Sequence, residues 1–260
     1  MSKPAAPAVA RAAAILDEIA ASSTPLSLAE LTQKLQLPKS TLHGLCSTLA
    51  QLNLITRLDS GQMTLGPHLV TWANAFLARI DITQEFFASW DDMKVLPEET
   101  ITLSIRDGTE VVYVACRNGA RPLGVTFRTG MRLPCIYTAT GKAMLSTLPN
   151  ETIRKLLADT DDKPWPTPLT SKGPRNISQL IEEIALVRER GYSIDQEELR
   201  EGMHCFGAPV FDSVSPEAVA GVAVSIRSHE VDAALQKKAG KAMQKLANRL
   251  SQRLGSTLRA

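Results

Sequence analysis

Cysteine is sparse and scattered. Cys46, Cys116, Cys135 and Cys205 form no Cys-x-x-Cys pair and have no histidine at zinc-site spacing, which argues against a structural zinc or a disulfide framework. The expectation is a reduced, cytoplasmic protein that needs neither metal nor cofactor. Long apolar runs are missing too, since Ala218 to Val224 falls far short of a membrane span. The alanine-rich start from Ala5 to Leu16 is broken by Arg11 and followed by Asp17-Glu18, so it reads as a first helix with Val9, Ile15, Leu16 and Ile19 inward, not as an export signal. A phosphate loop around Thr140-Gly141-Lys142 is excluded, because Ile136 and Ala143 stand where that motif requires glycine and a hydroxyl residue. Charge of one sign is also scarce, with a net +2 over 260 residues. That small excess sits in residues 1–80, six basic against four acidic, a weak bias towards a polyanion surface. The length suits one large domain or two modest ones, and 44% hydrophobic content supplies a sizeable core.

What is present is most telling between residues 27 and 65. Ser27 and Glu30 have the spacing of a capping box, which predicts a helix start, and Leu28, Leu31 and Leu35 follow at helical spacing. Pro38 suits the first turn of a second helix, in which Leu42, Leu45, Leu49 and Leu52 share an inward face. Lys39, Ser40, Thr41, His43 and Ser47 are then left as short polar groups for the major groove of double-stranded DNA. Leu54–Leu58 and Met63–Leu65 flank Asp59-Ser60-Gly61-Gln62 as a hairpin, a wing that places Arg57 near phosphate. The pattern is a winged helix-turn-helix over residues 1–66. Leucine-seamed hairpins also occur in interaction modules without DNA binding, and that alternative stays open on the residues alone.

Pro67 to Ile80 reads as a linker helix whose Leu69, Val70, Trp72, Ala73, Phe76 and Leu77 are too many apolar groups for one short helix to bury, which predicts self-association. Residues 81–260 change character. Ile101–Arg106 and Val111–Arg117 form a second hairpin signal around Asp107-Gly108, and Leu123–Arg128 is a third strand candidate. Asn176 with Gln179 and Gly191 bracket a helix, Met203–Phe211 and Val219–Ile226 read as strands, and a closing amphipathic helix spans about Val231–Leu254. Strand pairs separated by helices, without repeated strand-helix-strand units, predict an α/β domain of the α+β kind with a mostly antiparallel sheet.

Gly130-Met131-Arg132-Leu133-Pro134 with Ala139-Thr140-Gly141-Lys142-Ala143 resembles the signature blocks of the IclR family. So does Val187-Arg188-Glu189-Arg190-Gly191-Tyr192 with Asp195, Glu197-Glu198, Gly202 and Pro209-Val210-Phe211-Asp212. The resemblance covers nearly the whole chain. It implies a transcriptional regulator, repressor or activator of a catabolic operon, with a GAF-like effector domain over 81–260. It also implies a homodimer or dimer of dimers on a roughly palindromic operator.

On residues alone, Gly221, Ala223 and Ser225 share one strand face and Met203, Cys205 and Gly207 another, small surfaces that admit either a ligand or a tightly packed helix. The helix opening at Ala139-Thr140-Gly141 offers free N–H groups for a carboxylate, which points to a small organic acid. Resemblance to members that bind small keto-acids assigns backbone donors to Ala139 and Thr140, polar contacts to Asp195, Cys205, Ala223 and Ser225, and an apolar wall to Val125, Leu133 and Met203. Ala223 stands where such members often carry serine, Tyr137 where a small residue is common, and Gly44 where many carry arginine. An enzyme using Cys205 with His204 is the rival, opposed because strand neighbours point to opposite faces.

Overall fold

The computed structural model describes residues 6–79, 82–93, 95–120, 123, 126–158 and 165–256, with backbone alone for 74 and 76–79. The chain divides into two compact units, Met1–Ile80 and Asp81–Ala260.

The first unit runs α1 (Pro7–Ala21), α2 (Leu28–Leu35), α3 (Lys39–Gln51), β1 (Ile55–Arg57), β2 (Met63–Leu65) and α4 (His68–Arg79). The capping box closes as its spacing predicts. The Glu30 amide donates to Ser27 Oγ at 3.3 Å and the Ser27 amide donates to Glu30 Oε2 at 2.7 Å, satisfying two helix-end donors. Gln36 then takes a left-handed conformation at φ 52°, which turns the chain sharply enough for α3 to start after Pro38. Ile15, Leu31, Leu42 and Cys46 are fully buried, with Leu49, Ile55 and Met63 completing the core. Two inward assignments are corrected. Leu52 lies one residue past the end of α3 and is 55% exposed, while Cys46, on the same helical face as Leu42 and Leu49, fills the seam. Val9, in the first turn of α1, is 68% exposed, because the core meets that helix only from Ala12 onward. Mutual hydrogen bonds between Leu26 and Met63, at 3.0 and 2.7 Å, pin the wing to the strand-like residue before α2.

The second unit holds α5 (Ile82–Met93), β3 (Thr100–Asp107), β4 (Glu110–Arg117), β5 (Arg132–Pro134), α6 (Ala139–Leu145), α7 (Asn150–Leu156), α8 (Ile177–Arg190), β6 (Ser193–Gln196), β7 (Met203–Val210), β8 (Ala220–Arg227) and α9 (Ala233–Arg253). Six antiparallel strands lie in the order β5-β4-β3-β8-β7-β6. The third strand beside the β3–β4 hairpin is β5. The described residues of the expected strand at 123–128 are not in the sheet, and Phe127 is instead held through both its backbone groups by the Asn118 side chain, at 2.9 and 3.0 Å. One sheet face carries Phe206, Ala208, Val210, Val222, Val224 and Ile226 and is covered by α9, against which α5 packs. The other face meets α6. Its glycines set the approach: a Cβ at Gly207 would lie 2.8 Å from the Ala139 carbonyl, and one at Gly221 2.8 Å from the Thr140 carbonyl oxygen. The small strip therefore does seat a helix, whose first turn lies against Gly207 and Gly221. Gly191 ends α8 at φ 77°, as its position predicts.

Candidate functional site

Two surfaces carry polar chemistry, one in each unit. In the first, Lys39, Ser40 and His43 are exposed along α3 and Thr41 and Ser47 are partly exposed, while Arg57 projects from the neighbouring hairpin. All six belong to one small fold, with a helix of 13 residues presenting its first turn outward. Gly44 faces solvent on the same helix, and a Cβ there would meet nothing within 4 Å. Packing does not require that glycine. It leaves a gap in the polar face where a longer side chain would fit.

In the second unit, the register of the sheet aligns the candidates beneath α6. Asp195, Cys205, Ser225 and Thr100 stand in one row across β6, β7, β8 and β3. Ser193, Gly207, Ala223, Thr102 and Cys116 form the next row, and Gly221, Ser104 and Tyr113 a third. Met203, Cys205, Ala223 and Ala139 share one buried cluster, with Leu133 packed against it. Val125 lies outside the described residues. Gly141 is brought to the helix start but not to the sheet. Its amide donates to the Thr138 hydroxyl at 3.1 Å, and its missing side chain admits the Cys135 carbonyl, which a Cβ would approach to 2.2 Å. Its N–H is thus spent on capping α6, and the expectation that it holds a carboxylate does not fit this geometry.

Asp195 is fully buried, and Oδ1 accepts from the Glu198 and Leu199 amides at 2.7 and 3.2 Å. Glu197, at φ 65°, makes the tight turn that brings those amides back. Oδ2 has no hydrogen-bond partner among the described residues, nor do Thr140 Oγ1 and Ser104 Oγ, which are equally buried. Burial pushes the Asp195 carboxyl up to about 7; Lys142 opposes that, Glu198 adds to it, and the two amides lower it. The Cys205 thiol lies 3.1 Å from the Ser225 hydroxyl and is held far above its ordinary range, chiefly by burial and then by Asp195. His204 projects from the opposite face of β7, and the two side chains do not form a nucleophile and base pair.

Sequence reasoning missed three participants. Lys142, 1% exposed, donates to Glu198 Oε1 at 2.5 Å and to Glu183 Oε2 at 3.1 Å. Burial pulls its pKa down, but Glu198, Glu183 and Asp195 outweigh that and leave it above the ordinary lysine value. Ser104 and Tyr113 were also passed over. Only the pairing of β3 with β4 puts them on this face. Tyr137, noted as bulky for its place, is wholly buried and donates to the Pro166 carbonyl at 2.7 Å, so it staples the proline-rich strap and takes no part in the row of candidates. Two grooves among the described residues lie elsewhere. One groove of about 230 Å³ is lined by Arg154, Trp165, Arg175 and Ile177, another of about 410 Å³ by Asp107, Thr109, Arg132 and Leu156, and neither contains the unpartnered groups. Buried polar atoms without partners mark a ligand site more sharply than an open groove, because each is costly until something satisfies it.

Comparison with known proteins agrees over both units. The sequence profile of the IclR helix-turn-helix domain matches residues 8–59, and that of the bacterial transcriptional regulator IclR C-terminal domain matches residues 74–252. The chain is 30% identical over 249 residues to the HTH-type transcriptional regulator XynR of Escherichia coli K12, covering 95% of this chain and 96% of that one. The crystal structure of Agrobacterium tumefaciens repressor BlcR is similar at 43% identity, with a TM-score of 0.62 and coverage of 96% and 97%. The Thermotoga maritima IclR structure is similar at 26% identity, with a TM-score of 0.75 and coverage of 95% and 98%.

Proposed function

Because the chain belongs to the IclR family of bacterial transcriptional regulators, we propose that it controls a catabolic operon by releasing or engaging its operator when a small organic acid occupies the face of the sheet beneath α6. The observation that carries this reading is the set of three fully buried polar atoms, Asp195 Oδ2, Thr140 Oγ1 and Ser104 Oγ, left without hydrogen-bond partners among the described residues on one side of the sheet. Cys205, Ser225 and Ala223 line the same face, with Met203 and Leu133 as apolar neighbours. The reading is of a binding protein and not an enzyme. A thiol held protonated by burial is a poor nucleophile, and the neighbouring Asp195 carboxyl pushes its pKa further up. Its workplace is the cytoplasm, where bacterial DNA is; among the described residues no helix is long and apolar enough to cross a membrane.

The DNA face tests the first half of the reading. A Lys39→Ala, Arg57→Ala double variant should bind operator more weakly at every sequence and lose roughly one unit of salt slope for each phosphate contact removed. His43→Ala and Ser47→Ala should instead alter which bases are preferred. Footprinting on the natural upstream region decides it. Unchanged protection by the double variant would remove α3 and the wing from the interface.

Assembly into a homodimer or dimer of dimers completes the proposal. Val70 and Trp72 on α4 are 61% and 53% exposed, and Val9 on α1 is exposed too, apolar area that a monomer would leave in water. Light scattering on the full chain should give a dimer or tetramer. A Val70→Asp, Trp72→Asp variant should shift it towards monomer, and a wild-type monomer at micromolar concentration would end this part of the reading.

A further inference from the structure

Gly44 is the residue of α3 for which the fold of the first unit supplies no reason. Its backbone is helical and needs none of the freedom that glycine brings, and a Cβ there would meet nothing within 4 Å. Neither strain nor packing excludes a side chain. Glycine inside a helix is nevertheless less favourable than alanine, because the unfolded chain has more freedom to lose. The loss falls in the middle of the outward face of α3. Ser40 and Thr48 lie one turn before and after Gly44, Ser47 is on the same side three residues on, and His43 stands beside it, all exposed or partly exposed. Around Gly44 the helix backbone itself is therefore the surface.

That bare patch is apolar. The amide and carbonyl of Gly44 are taken up within the helix, and the carbonyl accepts a further hydrogen bond from the Thr48 hydroxyl at 3.1 Å. What remains outward is the Cα methylene. It has nothing to offer a hydrogen-bonding base edge, whereas the thymine C5-methyl is the apolar group that the major groove presents.

We propose that Gly44 is a specificity-determining residue of the DNA face, its missing side chain letting α3 sit deep enough in the major groove for the Cα methylene to contact a thymine methyl. The inference rests on the reading that α3 and the wing face DNA, and deepens it. Ser40, His43 and Ser47 are then the groups that meet the hydrogen-bonding edges of neighbouring base pairs.

The test uses the full-length protein and the duplex that it protects in footprinting, with each thymine replaced in turn by uracil, which lacks the methyl. Gly44→Ala should melt a few degrees above wild type in scanning calorimetry and yet bind that duplex about tenfold or more weakly, with binding to an unrelated duplex unchanged. At least one thymine-to-uracil change should weaken wild type several-fold and have little further effect on Gly44→Ala, because the variant no longer seats the methyl. A Gly44→Ala protein that melts below wild type would show that the fold itself requires the glycine, and overturns the assignment. So does operator affinity indifferent to Gly44→Ala, or wild-type affinity indifferent to uracil at every thymine, while the DNA face on α3 stands. If the Lys39→Ala, Arg57→Ala double variant also binds as wild type, the DNA-face reading fails and takes this inference with it.

Discussion

Lys142→Ala should lower the unfolding midpoint of the full-length protein by on the order of ten degrees, the largest loss from any single truncation near the candidate site. The ammonium is buried between Glu198 Oε1 at 2.5 Å and Glu183 Oε2 at 3.1 Å. Removing it strands Glu198, whose Oε2 already lacks a partner among the described residues. Burial pushes the Glu198 carboxyl up and Lys142 holds it down, so the charged form loses its main support. Breaking a buried pair from one side costs about 3–5 kcal/mol, and in a unit of this size each kcal/mol moves the midpoint by about 2–4 °C. Glu183→Gln should cost far less, because its side chain is one-third exposed and water replaces the lost contact. A Lys142→Met, Glu198→Gln double variant should recover much of the loss, since no charge is then left buried and unpaired. Differential scanning calorimetry of the four proteins measures this. A Lys142→Ala protein that melts with wild type would mean that the network contributes no net stability.

Lys142 also shows where the sequence stops being legible. Its burial depends on carboxylates 41 and 56 positions away, brought together by α8 and by the turn after β6. No local pattern announces that. The winged unit is the opposite case, because the Ser27–Glu30 box, the Pro38 start and the Gly61 turn are each completed within a few residues, and short-range chemistry fixed their geometry. Even there leucine spacing does not define the inward face of α3 fully, because Cys46 packs into it as a small hydrophobe while Leu52 lies exposed. In the sheet, strict alternation placed Cys205, Ala223 and Ser225 together, and the resemblance supplied Asp195. Alternation failed at Tyr113 for a physical reason, since the bulge in the β3–β4 pairing breaks the period of two on which such reading depends. The missed elements α5, α7, β5 and β6 are 12, 7, 3 and 4 residues long, and the last three are too short for a periodic signal to stand out.

Asp195→Asn should stabilise the protein at and above neutral pH and remove the loss of stability that accrues as pH rises from about 4 to about 7. The unfolded carboxyl titrates near 3.8 and the folded one near 7. Between these values the folded chain holds a proton that the unfolded chain has released, so stability falls as pH rises through this window. The full difference corresponds to about 4 kcal/mol as an order of magnitude, from 1.36 kcal/mol per pKa unit. The charges facing this group explain the direction. Lys142 on α6 is one cation against Glu198 and Glu183, so an ionised Asp195 is a third carboxylate in excess, with the Cys205 thiol on β7 and the Tyr113 phenol on β4 as neutral neighbours. Asparagine keeps an oxygen for the Glu198 and Leu199 amides and cannot ionise. The same substitution reads how the effector is held. A ligand that donates a hydroxyl to Oδ2 favours the ionised carboxyl, so its affinity rises with pH through about 7 and the variant binds it poorly. A ligand that presents an acceptor favours the protonated form, so its affinity falls over the same range and the variant retains much of it. Calorimetry of unfolding from pH 5 to 8.5 on both proteins, followed by effector titration at each end, separates these outcomes. Melting curves that respond to pH identically in wild type and Asp195→Asn would show that Asp195 does not titrate in this range.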